Sequence, residues 1–243
     1  MDIKQIEKFY KMVCGEVYSE PDSQMHTKLI DQIIPSIYNR PDGPKKGEKI
    51  VDIGCGPGLA MDKLVELGVD KKDIVGATLG ADDLRRTREK GYECHEYDMT
   101  FTKFANESFD YAIVRHCLEH SVWPYLTLME FNRIMKMHGR MYIEMPAPGT
   151  DRKLEHWPNH YSIMNQTQWG SLMLRAGFEY QSNTFPVTVD QGKGEDAKTF
   201  NEPYHWYIIT KIADRSDYSP ATADKMMELT KLVQDWTQKN GVN

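Results

Sequence analysis

Three glycines spaced two apart, at 54, 56 and 58, stand where an apolar strand gives way to a helix. The run is Lys49-Ile-Val-Asp-Ile-Gly-Cys-Gly-Pro-Gly58, and a helical stretch from Leu59 to Leu67 follows it. Glycine permits a sharp turn at positive φ and removes the Cβ where a ligand must touch main chain. The helix that opens behind the turn offers unpaired N–H groups to an anion. The expectation is a small cofactor with a negative group seated on this turn. Its spacing is not the dinucleotide G-x-G-x-x-G, because Leu59 stands at the third glycine position. No G-x-x-x-x-G-K-S/T phosphate loop occurs either.

The rest of the chain alternates strand and helix. Strands are expected at 49–53, 73–79, 92–97, 109–115, 139–145, 178–189 and 204–212. Helices are expected at 59–67, 81–90, 124–136 and 166–176. Repeated β-α units imply a doubly wound α/β sheet, with ligands beyond the carboxyl ends of the strands. Residues 2–38 show helical spacing in Ile3, Ile6, Phe9, Tyr10 and Val13 and again in Leu29, Ile30, Ile33, Ile34 and Ile37. Residues 221–238 read as a terminal amphipathic helix.

A net charge of −6 leaves no electrostatic footprint for nucleic acid. Cys14, Cys55, Cys94 and Cys117 are scattered without a C-x-x-C pair, which fits a reducing compartment and argues against a zinc ribbon. The first twenty residues lack the apolar core of a signal peptide, and no apolar run approaches about 18 residues. The expectation is a cytoplasmic protein with no membrane span.

Asp52-Ile-Gly-Cys-Gly-Pro-Gly58 resembles motif I of the class I S-adenosylmethionine-dependent methyltransferases. Further likenesses follow in order. Asp98-Met99 and Asn106-Glu-Ser-Phe-Asp-Tyr-Ala-Ile-Val114 resemble the family's passage around the fourth strand, and Leu118-Glu-His120 its "L-E-H". Phe131 to Glu144 resembles the helix, turn and fifth strand of the ubiquinone-biosynthesis-like branch (methyltransferase domain 11/23). Trp169 to Phe178 resembles that branch's late "A-G-F" segment.

The resemblance implies a seven-stranded Rossmann-like sheet with the seventh strand antiparallel. It implies an N-terminal helical extension over 1–40, a binding domain over 41–215 and a C-terminal helix over 216–243. It further implies S-adenosylmethionine as cofactor, held by Asp52, Gly54, Cys55, Gly56, Gly58, Thr78, Leu79, Asp98, Met99, Arg115 and His116. Asp52 would orient the turn or meet the methionine ammonium. Asp98 would accept from the adenine amino group, with Met99 main chain on the ring edge. Arg115 and His116 would lie under the methionine moiety. One departure stands out: Thr78 falls where the family carries an acid for the ribose hydroxyls. Asp82 or Asp83 could compensate from the next helix, or could simply complement that helix's N-terminus.

The acceptor is expected to be a small molecule. No N/D-P-P-Y follows the fourth strand and no Pro-Cys pair occurs, so methylation of nucleic-acid bases is disfavoured. His116, His120 and Tyr161 are the candidates for a base. His116-Cys-Leu-Glu-His120 also fits the H-x-x-E-H pattern of zinc hydrolases, but that pattern needs a helix and this one follows a strand. No metal is expected. Alternative readings are a degenerate cofactor-binding protein with a regulatory or assembly role and, less favoured, a zinc hydrolase on His116, Glu119 and His120. The aromatic loop 146–163 covers the cleft or packs on the sheet edge. The N-terminal helices form a lid, a structural cap or a homodimer surface.

Overall fold

The computed structural model describes residues 3–16, 24–191 and 198–216, with isolated positions 231, 234–235 and 238–239. The terminal helix expected at 221–238 lies outside the described residues, apart from those isolated positions.

The chain runs α1 (Ile3–Gly15), α2 (Gln24–Tyr38), β1 (Ile50–Ile53), α3 (Leu59–Glu66), β2 (Ile74–Thr78), α4 (Ala81–Glu89), β3 (Glu93–Glu96), β4 (Phe109–Arg115), α5 (Pro124–Ile134), β5 (Met135–Pro146), α6 (Gln166–Arg175), β6 (Phe178–Gln191) and β7 (Lys198–Lys211). The strands form one seven-stranded sheet in the order β3-β2-β1-β4-β5-β7-β6. β1 pairs in parallel with β2 and β4, whereas β7 is antiparallel to both β5 and β6. The antiparallel seventh strand matches the expectation.

All four residues of β1 are buried, Asp52 included. A central parallel strand is covered on both faces, so its sequence need not alternate. Ile50 packs with Ile34 and Ile37 of α2, Met61 and Leu64 of α3 and Leu84 of α4. Val51 and Ile53 turn to the opposite core, with Leu128 and Phe131 of α5 and Trp169 and Met173 of α6. Each such side chain contributes about 1.5–3 kcal/mol when fully buried. By that measure α2 is anchored by its isoleucines, whereas α1 buries no residue. Instead α1 rests Phe9 and Tyr10 against Trp123, with Tyr10 edge-on to Phe101. No described helix is long and apolar enough to cross a membrane.

The structure departs furthest from the sequence expectation at the α5–β5 junction and at the start of β7. Helix α5 stops at Ile134 and β5 begins at once, because Glu107 and Ser108 N–H donate to the Arg133 and Ile134 carbonyls and Met135 pairs with Phe109. The expected turn at 136–139 survives as an irregularity inside the strand, with His138 at φ 63°. β7 starts at Lys198 rather than 204, since Lys-Thr-Phe-Asn-Glu-Pro carries little strand signal and is drawn into register by β6.

Asn132 locks three chain segments at the end of α5. Its Nδ2 donates to the Ala176 and Ala213 carbonyls, and its Oδ1 accepts the Arg215 N–H. Asn132→Ala strands those main-chain groups, and we expect it to lower stability by about 1–3 kcal/mol in urea denaturation. An unchanged midpoint would contradict this.

Candidate functional site

The sheet order reverses between β1 and β4, and a crevice opens beyond their carboxyl ends at such a switch point. Ile53 is level with Ala77 of β2 and Val114 of β4, so the loops leaving all three strands meet there. They enclose a cavity of about 260 Å³.

Its floor is the glycine turn. The Gly54 and Cys55 N–H groups both donate to the Ala77 carbonyl, at 2.8 and 3.1 Å, which ties the turn to β2. Gly54 has φ 70°, and a Cβ there would come within 2.6 Å of the Cys117 Cβ. Gly56 has φ 51°, and a Cβ there would meet nothing within 4 Å. The first glycine therefore serves the fold and the second keeps space open. Thr87 Oγ1 and Lys90 Nζ donate to the Gly56 and Pro57 carbonyls, at 2.9 and 2.7 Å, and hold the turn from behind. Gly58 does not line the cavity. It is the N-cap of α3, faces Thr87, and caps that helix with no side chain.

Asp52 lies just before the turn. It is 3% exposed, lines the cavity, and its Oδ2 has no hydrogen-bond partner among the described residues. Burial pushes its carboxyl up to about 7, against the opposing pull of Arg115. A buried carboxylate oxygen without a donor is costly, and a ligand that brings an N–H there relieves the cost.

Thr78 and Leu79, at the end of β2, also line the cavity, as do Cys55, Asp98, Met99, Arg115 and His116. Of the two acids considered beside Thr78, Asp83 lines the cavity, whereas Asp82 turns outward to an ion pair with Arg85. Asp98 Oδ1 accepts the Thr100 N–H at 2.7 Å, which shapes the loop after β3. Burial raises the Asp98 carboxyl and that hydrogen bond opposes the rise.

Under the cavity sits a buried ionic cluster that the sequence motifs did not assign. Arg115 and Glu144 are register partners on β4 and β5, and Arg115 Nη2 donates to Glu144 Oε1 at 2.9 Å. Tyr142 O–H donates to Glu144 Oε2 at 2.6 Å, and His116 Nε2 meets Glu144 Oε1 at 2.9 Å. Burial alone would raise the Glu144 carboxyl, but the Arg115 guanidinium and the His116 hydrogen bond hold it at about 2. His116 also faces Glu119 Oε1 across 3.8 Å. Burial disfavours its charged form, yet Glu119 and Glu144 together raise its pKa to about 9. At neutral pH the His116 ring is therefore a cation held between two acids, which removes it from the candidates for a base. Its φ of 48°, rare for a non-glycine residue, marks the constraint that holds it there. A lone acid inside the apolar run Met-Tyr-Ile-Glu-Met was the sequence signal for Glu144.

His120 lines the cavity, and its Nδ1 lies 2.9 Å from the Asn159 carbonyl. A carbonyl only accepts, so Nδ1 carries a proton directed at it. Tyr161 lines the cavity but is 41% exposed, and its O–H donates to Glu16. That hydrogen bond, together with burial, moves the phenol up to about 12, away from a base. The aromatic loop divides its work. Leu154 and Trp157 pack on Val187 and Tyr204, while Asn159 and Tyr161 reach the cavity. Val13, Cys14 and Glu16 close it from the side of α1. The H-x-x-E-H segment is not a helix: His116 ends the strand region and only Leu118–His120 forms a 3-10 turn.

A family model described as a methyltransferase domain matches residues 22–183. Among curated relatives, the malonyl-[acyl-carrier protein] O-methyltransferase of Legionella pneumophila is 29% identical over 126 residues, covering 49% of this chain and 44% of that protein. The ubiquinone biosynthesis O-methyltransferase of Glaesserella parasuis is 22% identical over 198 residues, covering 76% of this chain and 74% of that protein. The chain thus spans less than half the length of the first relative and about three quarters of the second. Among solved structures, a putative methyltransferase from Bacillus halodurans superposes with a TM-score of 0.61 at 17% identity, covering 77% of this chain and 99% of that one. The [4+2]-cyclase SpnF superposes at 0.59 with 15% identity, covering 82% and 85%, so this fold by itself does not fix an activity.

The two glycines give a paired test. Gly54→Ala adds left-handed strain of about 1–2 kcal/mol and overpacking of about 1–3 kcal/mol. Gly56→Ala adds the strain alone. Urea denaturation should show the larger loss at Gly54, and equal losses would contradict the division of roles.

Proposed function

The chain belongs to the methyltransferase-domain family whose model matches residues 22–183, and from that premise we propose that it is an S-adenosylmethionine-dependent methyltransferase acting on a small acceptor. The observation that carries this reading is the unpartnered Asp52 Oδ2 beside an open glycine turn. A ligand that presents an ammonium and a carboxylate on one carbon answers both features. The ammonium meets Asp52, and the carboxylate meets the uncapped amides of α3. Thr78 and Asp83 would receive the ribose hydroxyls, and Asp98 with the Met99 main chain the adenine edge. Asp83 offers the carboxylate that Thr78 lacks, which weakens the case for a degenerate binding protein.

The bound cofactor supplies a methyl group already activated by its sulfonium. What remains for the protein is alignment and exclusion of water, and alignment alone is worth roughly 7–11 kcal/mol of barrier. The Arg115–Glu144–His116 cluster fixes the platform under the methionine end, and α1 with the loop around Asn159 walls off solvent. Of the three candidates for acceptor activation, His116 is held by Glu144 and Tyr161 by Glu16, and we assign that role to His120. Oxygen acceptors are the first class to test, because the relatives named above are O-methyltransferases.

Calorimetric titration with S-adenosylhomocysteine tests the cofactor, and transfer of a labelled methyl group to a panel of hydroxylated acceptors tests the reaction. Asp52 must be ionised to meet an ammonium, and burial holds it at about 7. Affinity should therefore rise as pH increases from about 6 to 7.5, and Asp52→Asn should flatten that rise. The same group has the opposite effect on stability of the free protein. Its raised pKa favours the native state fully below the unfolded value of 3.8, and that contribution is lost as pH rises through about 7. A pH-independent affinity in the wild-type protein would sink the Asp52 assignment. Asp98→Ala should weaken binding by about 1–3 kcal/mol, the scale of a lost buried hydrogen bond; an unchanged dissociation constant would place the adenine elsewhere.

A further inference from the structure

Glu119, His120 and His160 bring one carboxylate oxygen and two ring nitrogens within 4.8 Å of one another beside the cleft, which His120 lines. The three arrive from two chain segments. Glu119 and His120 belong to the 3-10 turn after β4, and His160 to the loop after β5. The segments are joined independently of any ligand: Ser162 N–H donates to the Glu119 carbonyl at 2.9 Å and Ser162 Oγ to the Ser121 carbonyl at 2.5 Å. The cluster is therefore built by the fold rather than gathered on a surface.

Its hydrogen bonding has the form of a ligand set. His120 Nδ1 lies 2.9 Å from the Asn159 carbonyl and His160 Nδ1 lies 2.8 Å from the Leu154 carbonyl. Both Nδ1 atoms are thereby donors, which leaves Nε2 as the ring nitrogen to ligate. Metal-bound histidines are oriented by this kind of outer partner. Glu119 is 2% exposed; its Oε1 faces His116, and its Oε2 is buried with no hydrogen-bond partner among the described residues. A buried carboxylate oxygen in that state calls for a cation.

We propose that Glu119, His120 and His160 bind one divalent transition-metal cation of the Zn²⁺ class. Two imidazoles and a carboxylate suit Zn²⁺, and three protein ligands leave one position open, as in catalytic zinc sites. Of the three, His120 lines the cleft, beside Asn159. This departs from the sequence expectation of no metal, and it differs from the set His116, Glu119 and His120 that the H-x-x-E-H pattern suggests. His116 is taken by Glu144, and His160 stands in its place. Metal binding does not depend on the methyl-transfer reading. The role does rest on it: a cation there would hold an acceptor hydroxyl and ease loss of its proton to solvent, so His120 would activate the acceptor as a metal ligand.

The test is calorimetric titration of Zn²⁺ alone into untagged, chelator-treated full-length protein, with S-adenosylhomocysteine titrated separately. The expected result is saturable uptake of one Zn²⁺ per chain. Removing even an outer partner of a metal ligand costs about 10- to 100-fold in affinity, so His160→Ala and Glu119→Gln should each lose at least about tenfold. A urea midpoint within error of wild type shows that His160→Ala is folded. Absence of saturable uptake, or equal Zn²⁺ affinity in both variants and wild type, overturns the site. Zn²⁺ uptake without any S-adenosylhomocysteine binding supports the site and sinks only the methyl-transfer reading.

Discussion

A buried carboxylate at the end of the central strand governs the arrangement of this molecule. Asp52 sits in β1 with strands paired on both sides, so water cannot reach it from the sheet. Its unpartnered oxygen is buried beside the cleft, where Gly54 and Gly56 turn the chain without side chains. On the proposed reading, strand end, turn and helix start together receive a group bearing both charges.

The second constraint is the ionic cluster behind it. Arg115 carries positive charge next to Asp52, yet Glu144 neutralises it at 2.9 Å, and His116 and Tyr142 complete the coordination of Glu144. Buried ion pairs contribute little net stability, but breaking one is expensive because the survivor is left uncompensated. Such a cluster holds geometry. It fixes the segment after β4 from which Cys117 meets Gly54 and Glu119 reaches toward His120 and His160. The glycine turn and the Glu119, His120 and His160 cluster are thus joined by one loop.

The parts of this arrangement that follow from local pattern were legible in the sequence. The apolar strand, the glycine turn and the regular βα alternation imply the sheet, and motif and strand position alone put Asp52, Thr78, Asp98 and Arg115 at the cleft. What escaped depended on register or helix phase. Glu144 became a site residue only once β4 and β5 were aligned to set it opposite Arg115. Asp82 and Asp83 are equivalent as helix N-terminal acids, and only the orientation of α4 sends one to Arg85 and the other to the cleft. His160 comes from a loop whose path is set by Ser162 and by packing against Val187 and Tyr204, neither of which has a sequence period. The helical spacing of residues 2–38 was equally clear in both halves, yet α2 entered the core and α1 stayed on the cleft, a difference that packing alone decides.

A crystal structure grown with S-adenosylhomocysteine interrogates the central claim most directly. The account predicts the ligand's ammonium nitrogen within hydrogen-bond distance of Asp52 Oδ2, with its carboxylate against the first amides of α3. Ligand density outside this cleft, or Asp52 satisfied by a group of the protein itself with the turn closed over it, would contradict the account.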